Sequence, residues 1–236
     1  MIVPYYRMAP FVEETIMSAF EQTYSPIEVI LVNDGSFEDD DWVIAELATR
    51  YPIMVVTQPN SGLGAARNFG ISQSRGRYVF PLDADNIASP TFVERCVDVL
   101  ERRPEVAYVN SWVRYIDEGA QPHPPPVEGY QPIGNDVPSL EQQNVAGDAA
   151  AVIRRRVFDL GFWYSVDATS YEDWLFYREL ARQGQRGHAI PERLVLYRVR
   201  RRSMVRTIGF VHHERLLGEM EAHLREREME WVRSSA

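Results

Sequence analysis

The chain has 236 residues, 45% of them hydrophobic, which is enough apolar mass for one large core and too much for a disordered tract. A formal net charge of −9 excludes a general nucleic-acid binder, since wrapping a polyphosphate needs positive potential over a broad face. Nowhere do 18 apolar residues run uninterrupted, so no transmembrane segment is expected, and Met1-Ile2-Val3-Pro4 lacks the zones of a signal peptide.

All 25 basic residues are arginine, first of all a compositional habit of the source genome, although the side chain also suits forked phosphate contacts. The lone cysteine, Cys96, falls in the helical pattern Phe92, Val93, Cys96, Val97, Leu100; burial is its expected role, and a reducing, cytoplasmic setting fits. Ile2-Val3 reads as the tail of a strand, so a longer parent polypeptide is expected.

In chain order, strands are predicted at Ile2 to Tyr6, Ile27 to Asn33, Ile53 to Gln58 and Tyr78 to Leu82. Between them Phe11, Val12, Ile16, Ala19, Phe20, then Trp42, Val43, Leu47, then Ala65, Ala66, Phe69 recur at helical spacing. That alternation describes an α/β fold with a mostly parallel sheet covered by helices, whose ligand crevice lies beyond the carboxyl ends of the strands. Pro81 cannot donate to a central ladder, so an irregularity is expected there.

A helix from about Pro90 to Arg102 leads to a strand over Val106 to Ile116. Gln121 to Pro138, with six prolines, reads as a loop. Order returns at Ala149 to Ile153, a helix over Glu172 to Gln183 and a strand near Leu194 to Val199. Ile208 to Trp231 is amphipathic. The expected division is a first half over 1–116, a smaller second half over 117–207, and 208–236 as a C-terminal helix.

The polar residues gather at strand ends. Asp83-Ala84-Asp85 places two carboxylates two residues apart, the hard ligands that a magnesium or manganese ion on a diphosphate requires; ordinary turn chemistry is the plainer alternative. Asn33-Asp34-Gly35-Ser36 offers a carboxylate to a base edge, although an Asp-Gly turn needs no ligand. Asn60 to Gly70 opens a helix after a strand, but Arg67 stands where a dinucleotide motif has its third glycine. Arg67 is therefore expected to reach for phosphate, with a surface salt bridge as the alternative.

Glu172-Asp173 begins a helix between Tyr171 and Trp174. The macrodipole accounts for one acid there; a second, shielded by aromatic rings, suits a proton acceptor. Arginines crowd Tyr197 to Thr207, either as a solvated run or as partners of a leaving diphosphate.

Val3-Pro4-Tyr5-Tyr6, Gln22-Thr23-Tyr24, Val32 to Ser36, Gly62 to Gly70, Leu82 to Asn86, Glu172-Asp173 and Tyr197-Arg198 to Ser203-Met204, in that order, resemble the family 2 inverting glycosyltransferases of GT-A fold. The resemblance implies that Pro4, Tyr6 and Asp34 cradle a uracil-like base, that Asp83 approaches the ribose, that Asp85 ligates Mn2+ or Mg2+ on the diphosphate, and that Asp173 is the catalytic base. It implies a nucleoside-diphosphate sugar, UDP-linked by preference, as donor and a carbohydrate or other hydroxyl as acceptor, with 1–116 binding the nucleotide sugar and 117–207 forming the acceptor side that carries the base. Arg200 stands near a position where many relatives carry a histidine, and is expected to meet phosphate directly. The rival readings are a sugar-nucleotide-forming nucleotidyltransferase, for which Pro4-Tyr5-Tyr6-Arg7 lacks the glycine of a phosphate loop, and a non-catalytic nucleotide-sugar-binding module.

Overall fold

A computed structural model describes residues 1–201 except 37, 124, 126, 127, 135 and 169, with backbone alone for 38–41. The predicted C-terminal helix, Ser203-Met204 and the arginines beyond 201 lie outside the described residues.

The first half is the expected parallel α/β unit. It runs β1 (Ile2–Tyr5), α1 (Val12–Phe20), β2 (Ile30–Asp34), α2 (Glu38–Arg50), β3 (Met54–Gln58), α3 (Leu63–Gln73) and β4 (Tyr78–Val79). β1, β2 and β3 are parallel neighbours in that order, with Val3 opposite Leu31 and Val32 opposite Val56. Side chains alternate between two cores: Val3, Tyr5 and Leu31 pack with α1 and α2, while Ile2, Ile30 and Val32 meet α3 on the other face.

Two prolines decide where the sheet stops. The fourth predicted strand shortens to β4, but Ile2 N–H donates to Phe80 O at 2.8 Å and Leu82 N–H to Ile2 O at 2.9 Å, bridging Pro81 to β1. Pro81 takes the ladder position whose own N–H would face away from β1, so its missing donor costs nothing there. The next rung would need an N–H from Pro4. None exists, and the chain turns off into Asp83 to Asn86, closed by Asn86 N–H to Asp83 O at 2.9 Å.

The remaining elements are β5 (Ile87–Ala88), α4 (Phe92–Arg102), β6 (Val106–Ile116), α5 (Val137–Leu140), β7 (Val152–Arg154), α6 (Arg155–Asp159), α7 (Glu172–Arg182) and β8 (Arg186–Arg198). They form a mixed sheet, β4-β7-β6-β8-β5, in which β6 and β8 run parallel and β4, β5 and β6 meet their other partners antiparallel. β8 starts eight residues earlier than predicted. Its first half is polar and contains Pro191, which sits where the β6 register jumps from Ile190 to Arg193, a bulge that tolerates proline.

The proline-rich loop returns along β6, with Tyr115 N–H on Glu128 O at 2.8 Å and Val113 N–H on Tyr130 O at 2.9 Å, and ends in the single turn of α5. Gln22 and Thr23 prove to be struts. Gln22 Nε2 donates to Ser89 O at 2.8 Å and its Oε1 accepts from Val93 N–H at 3.0 Å, locking α1 to the start of α4. Cys96 is fully buried on α4, as its spacing implied.

Candidate active site

The ends of β1, β2 and the Pro81 segment open on one crevice, which α3 and α7 close from the side. Pro4 is buried in β1 and Tyr6 is exposed at the rim, with Arg7 over its ring at 5.5 Å. Arg7 N–H donates to Ser36 Oγ at 3.0 Å, tying the ends of β1 and β2. Gly35 has φ +69, and a Cβ there would stand 2.5 Å from Asn60 N, so only glycine fits.

Asp34 turns its carboxylate onto the protein. Oδ1 accepts from Gln58 Nε2 at 2.7 Å and from Ser61 N–H at 2.9 Å, and Oδ2 from Gly62 N–H at 3.0 Å. It thereby holds the turn that opens α3. A carboxylate has about four acceptor positions, so one remains for a ligand.

Arg67 corrects the sequence reading. It neither aims at a phosphate nor forms a surface salt bridge: it is 1% exposed, with Nη1 on Glu172 Oε1 at 2.6 Å and Nη2 on Asp83 Oδ1 at 2.7 Å. Helical phase is the cause. Residues 67, 70 and 71 share the buried face of α3, and Gly70 lets that face approach so closely that a Cβ would lie 2.5 Å from Ile2 Cγ2 and 2.7 Å from Val32 Cγ2. The glycine needed for helix-to-sheet contact is thus Gly70, three residues after the position tested in the motif. Burial opposes the Arg67 charge, yet Asp83 and Glu172 outweigh it and hold the guanidinium's pKa well above its ordinary value.

At the start of α7 neither acid occupies the N-cap position. Tyr171 is the N-cap, in the left-handed region at φ 61, and its side chain makes no capping hydrogen bond. Glu172 is buried and spent on Arg67. Asp173 is half-buried, and its Oδ1 accepts from Trp174 N–H at 2.6 Å. Burial, then the neighbouring Glu172 charge, push the Asp173 carboxyl well above the usual range, the direction a general base at neutral pH requires.

Asp83 and Asp85 flank buried Ala84. Asp85 Oδ2 accepts from Arg200 Nε at 2.5 Å. Arg200 therefore sits on the carboxylate rather than apart from it. Burial and Asp83 raise the Asp85 pKa against the pull of Arg200, which marks a place short of positive charge. Among the described residues no group of three or more His, Cys, Asp or Glu can hold a metal ion alone. The carboxylate pair nonetheless fits a hard divalent cation that takes its other ligands from phosphate oxygens and water.

One member of the arginine run takes a role that the sequence reading did not give it, and one acid escaped that reading. Arg198 is 2% exposed and braces the Asp85 turn: Nε donates to Asp85 O at 2.9 Å, its N–H to Asn86 Oδ1 at 3.0 Å, and Nη2 pairs with Glu14. It is a strut, not a phosphate ligand. Asp148, between α5 and β7, feels the charges of Asp83 and Arg67 although no motif marks it.

Over residues 1–209 the chain matches the model of the family described as Glycosyl transferase family 2. The chain belongs to glycosyl transferase family 2. Within that family it is similar to an uncharacterized glycosyltransferase of Haemophilus influenzae, 28% identical over 210 residues, which are 84% of this chain and 64% of that protein. EpsJ of Bacillus subtilis, an uncharacterized glycosyltransferase, is 41% identical over 103 residues, 43% of this chain and 30% of that one. The family 2 chain described here thus spans less than two thirds of either relative.

Solved structures share the fold. S. aureus TarS 1-349 in complex with UDP-GlcNAc superposes with a TM-score of 0.70 at 15% identity, covering 87% of this chain and 59% of that one. The mannosyltransferase PcManGT from Pyrobaculum calidifontis, in complex with GDP-Man and Mn2+, gives 0.63 at 20%, covering 86% and 57%. The family 2 chain has the GT-A fold of these neighbours.

Proposed function

We propose that this chain is the catalytic part of a metal-dependent, inverting hexosyltransferase that moves a sugar from a nucleoside diphosphate, UDP by preference, to an acceptor hydroxyl. One observation carries the reading. Through Arg67, the carboxylate pair at the end of the Pro81 segment and the acidic start of α7 meet at a single buried guanidinium. Leaving-group and proton-accepting ends of a displacement then lie side by side. TarS with UDP-GlcNAc and PcManGT with GDP-Man and Mn2+ support a nucleotide sugar as donor and a divalent cation as cofactor.

In this reading Pro4, Tyr6 and Asp34 form the base end of the donor site, Asp83 faces the ribose and Asp85 holds the cation. A divalent cation bound there neutralises charge growing on the departing diphosphate. Asp173 takes the proton from the acceptor hydroxyl as its oxygen attacks the anomeric carbon. The bond from that carbon to the β-phosphate oxygen breaks in line, and its electron pair leaves with the nucleoside diphosphate. Inversion follows from the single displacement, with no sugar bound to the enzyme. Arg67 keeps Asp83 and Glu172 fixed while charge moves. No helix among the described residues is long and apolar enough to cross a membrane, and the buried lone cysteine accords with a cytoplasmic setting.

A thermal-shift panel of UDP and GDP, each with and without Mn2+, tests the reading, because a ligand held only by the folded state raises the melting temperature with its concentration. The expected result is a nucleotide-dependent rise that Mn2+ enlarges and that Asp85→Asn returns to the metal-free value. The absence of any rise with either nucleotide would overturn it.

A further inference from the structure

Arg67 joins the two acidic clusters, and one residue with no role above covers it. The Tyr164 ring lies 5.3 Å from the Arg67 guanidinium carbon and stacks on Phe176 of α7, with centroids 4.4 Å and planes 21° apart. Tyr164 is 2% exposed, so the guanidinium meets this ring where water would otherwise reach it. Two carboxylates take Nη1 and Nη2, but Arg67 Nε is shut off from solvent and has no hydrogen-bond partner among the described residues. A buried cation with one N–H unspent gains from the negative face of an aromatic ring, and gains more in a dry site than at a surface.

The ring is held in that place by α3 itself. The segment that follows α6 lies across the first turns of α3, and Asn68 pairs with its backbone as a second peptide would. Nδ2 donates to Tyr164 O at 2.8 Å, and Oδ1 accepts from Tyr164 N–H at 3.0 Å. One turn earlier on the same face, Gly64 lets the segment approach: a Cβ there would stand 2.1 Å from Ser165 O. Arg67 and Asn68 are consecutive, so the helix that carries the guanidinium also fixes its cover.

The hydroxyl has no part in this. Tyr164 Oη is buried and makes no hydrogen bond among the described residues, so the aromatic face is what the position uses. Without that face water enters, the two ion pairs are screened, and the guanidinium is free to turn. Asp83 on one side and Glu172, next to Asp173, on the other would then no longer be held to one spacing.

We infer that Tyr164, clamped by Asn68, is a positioning residue for the transfer: it seats Arg67, and through Arg67 it keeps the Asp83 end of the donor site in register with the Asp173 base. This rests on the glycosyl-transfer reading and deepens it, by giving a buried residue outside every sequence motif a part in alignment of the reacting ends.

Parent, Tyr164→Leu, Tyr164→Phe and Asn68→Ala, each checked by a melting curve, are compared with Mn2+ in two measurements. One is calorimetric titration with UDP and GDP; the other is release of nucleoside diphosphate from UDP-GlcNAc, UDP-glucose and GDP-mannose, with water or a working acceptor taking the sugar. Tyr164→Leu is expected to keep nucleotide affinity and donor KM within about twofold of parent while kcat falls roughly tenfold or more, since misalignment on the order of 1 Å costs up to about 10² in rate. Asn68→Ala, which leaves the ring but frees it, is expected to show the same split to a smaller degree. Tyr164→Phe restores the ring without the hydroxyl and is expected to return kcat to within about twofold of parent. A folded Tyr164→Leu with parental kcat, a Tyr164→Phe as slow as the leucine variant, or nucleotide affinity lost in step with kcat overturns the positioning role alone. If Tyr164→Leu does not fold, Asn68→Ala decides by the same criteria. A parent that turns over none of the donors overturns the glycosyl-transfer reading and the positioning role with it.

Discussion

Arg200 Nε and Asp85 Oδ2 lie 2.5 Å apart, so the carboxylate assigned to the cation already holds a guanidinium. Both side chains are largely buried, which makes the pair stronger than an exposed one. If Asp85 holds a divalent ion, as proposed, that ion competes with Arg200 for the carboxylate, and a weakened ion pair would leave the guanidinium for the diphosphate.

Arg200→Ala is accordingly expected to tighten Mn2+ binding in the absence of nucleotide by about fivefold to tenfold, and to weaken UDP binding in the absence of metal. Paramagnetic resonance of free Mn2+ reads the first effect and calorimetry the second. Unchanged Mn2+ affinity would mean that the ion pair does not compete with the cation.

Asp173→Asn keeps the volume and the contact to Trp174 N–H but cannot take a proton at neutral pH. Transfer to a working acceptor is expected to slow by roughly 10² to 10⁴, equivalent to about 3 to 5 kcal/mol, with donor affinity close to parent. Glu172→Gln is not a silent control. Glu172 pairs with buried Arg67 at 2.6 Å, and neutralising it leaves Asp83 as the guanidinium's remaining ion-pair partner, a loss expected to cost about 1.5 to 3 kcal/mol of stability. The two neighbours should therefore separate: one variant slow and stable, the other melting early. An Asp173 variant that turns over at the parent rate would remove the base from the mechanism.

Asp148 makes the apo protein more stable in acid. Burial first, then the Asp83 charge, raise its carboxyl from 3.8 to about 6, against Tyr130, Ala150 N–H and Arg67. A carboxyl raised in the folded state adds stability that is complete below its unfolded pKa and is lost as pH rises through the folded one. In EDTA, chemical denaturation of parent and Asp148→Asn is expected to show the parent losing about 3 kcal/mol relative to the variant between roughly pH 4 and 6.5. A constant difference across that window would show that Asp148 titrates normally.

Asp34→Ala removes the acceptor for Gln58, Ser61 and Gly62 together. Loss of these charge-assisted bonds is expected to cost about 2 kcal/mol, and the loosened turn to weaken UDP binding with or without Mn2+. Calorimetry under both conditions checks it. A loss confined to the Mn2+ titration would assign Asp34 to the metal end instead.

Much of this was legible before folding. Period-two and helical spacings in Ile2 to Phe69 located β1 through α3, because one face of each element must be apolar wherever it lies in the fold. Asp83, Asp85 and Asp173 stood out as candidates because the pattern that marks them is local: two carboxylates at one strand end, and an acid between aromatic residues at a helix start. Partners were not. Arg67 is separated from Glu172 by 105 residues and Asp85 from Arg200 by 115, and no pattern in either neighbourhood states that they meet. Only the packing of α3 against β1 and β2, made close by Gly70, turned Arg67 inward to join the two acidic clusters. Asp148 shows the same limit. Its sequence neighbours describe an ordinary turn, and only the arrival of Tyr130 and Tyr177 from other elements puts their hydroxyls on its N–H and its carbonyl.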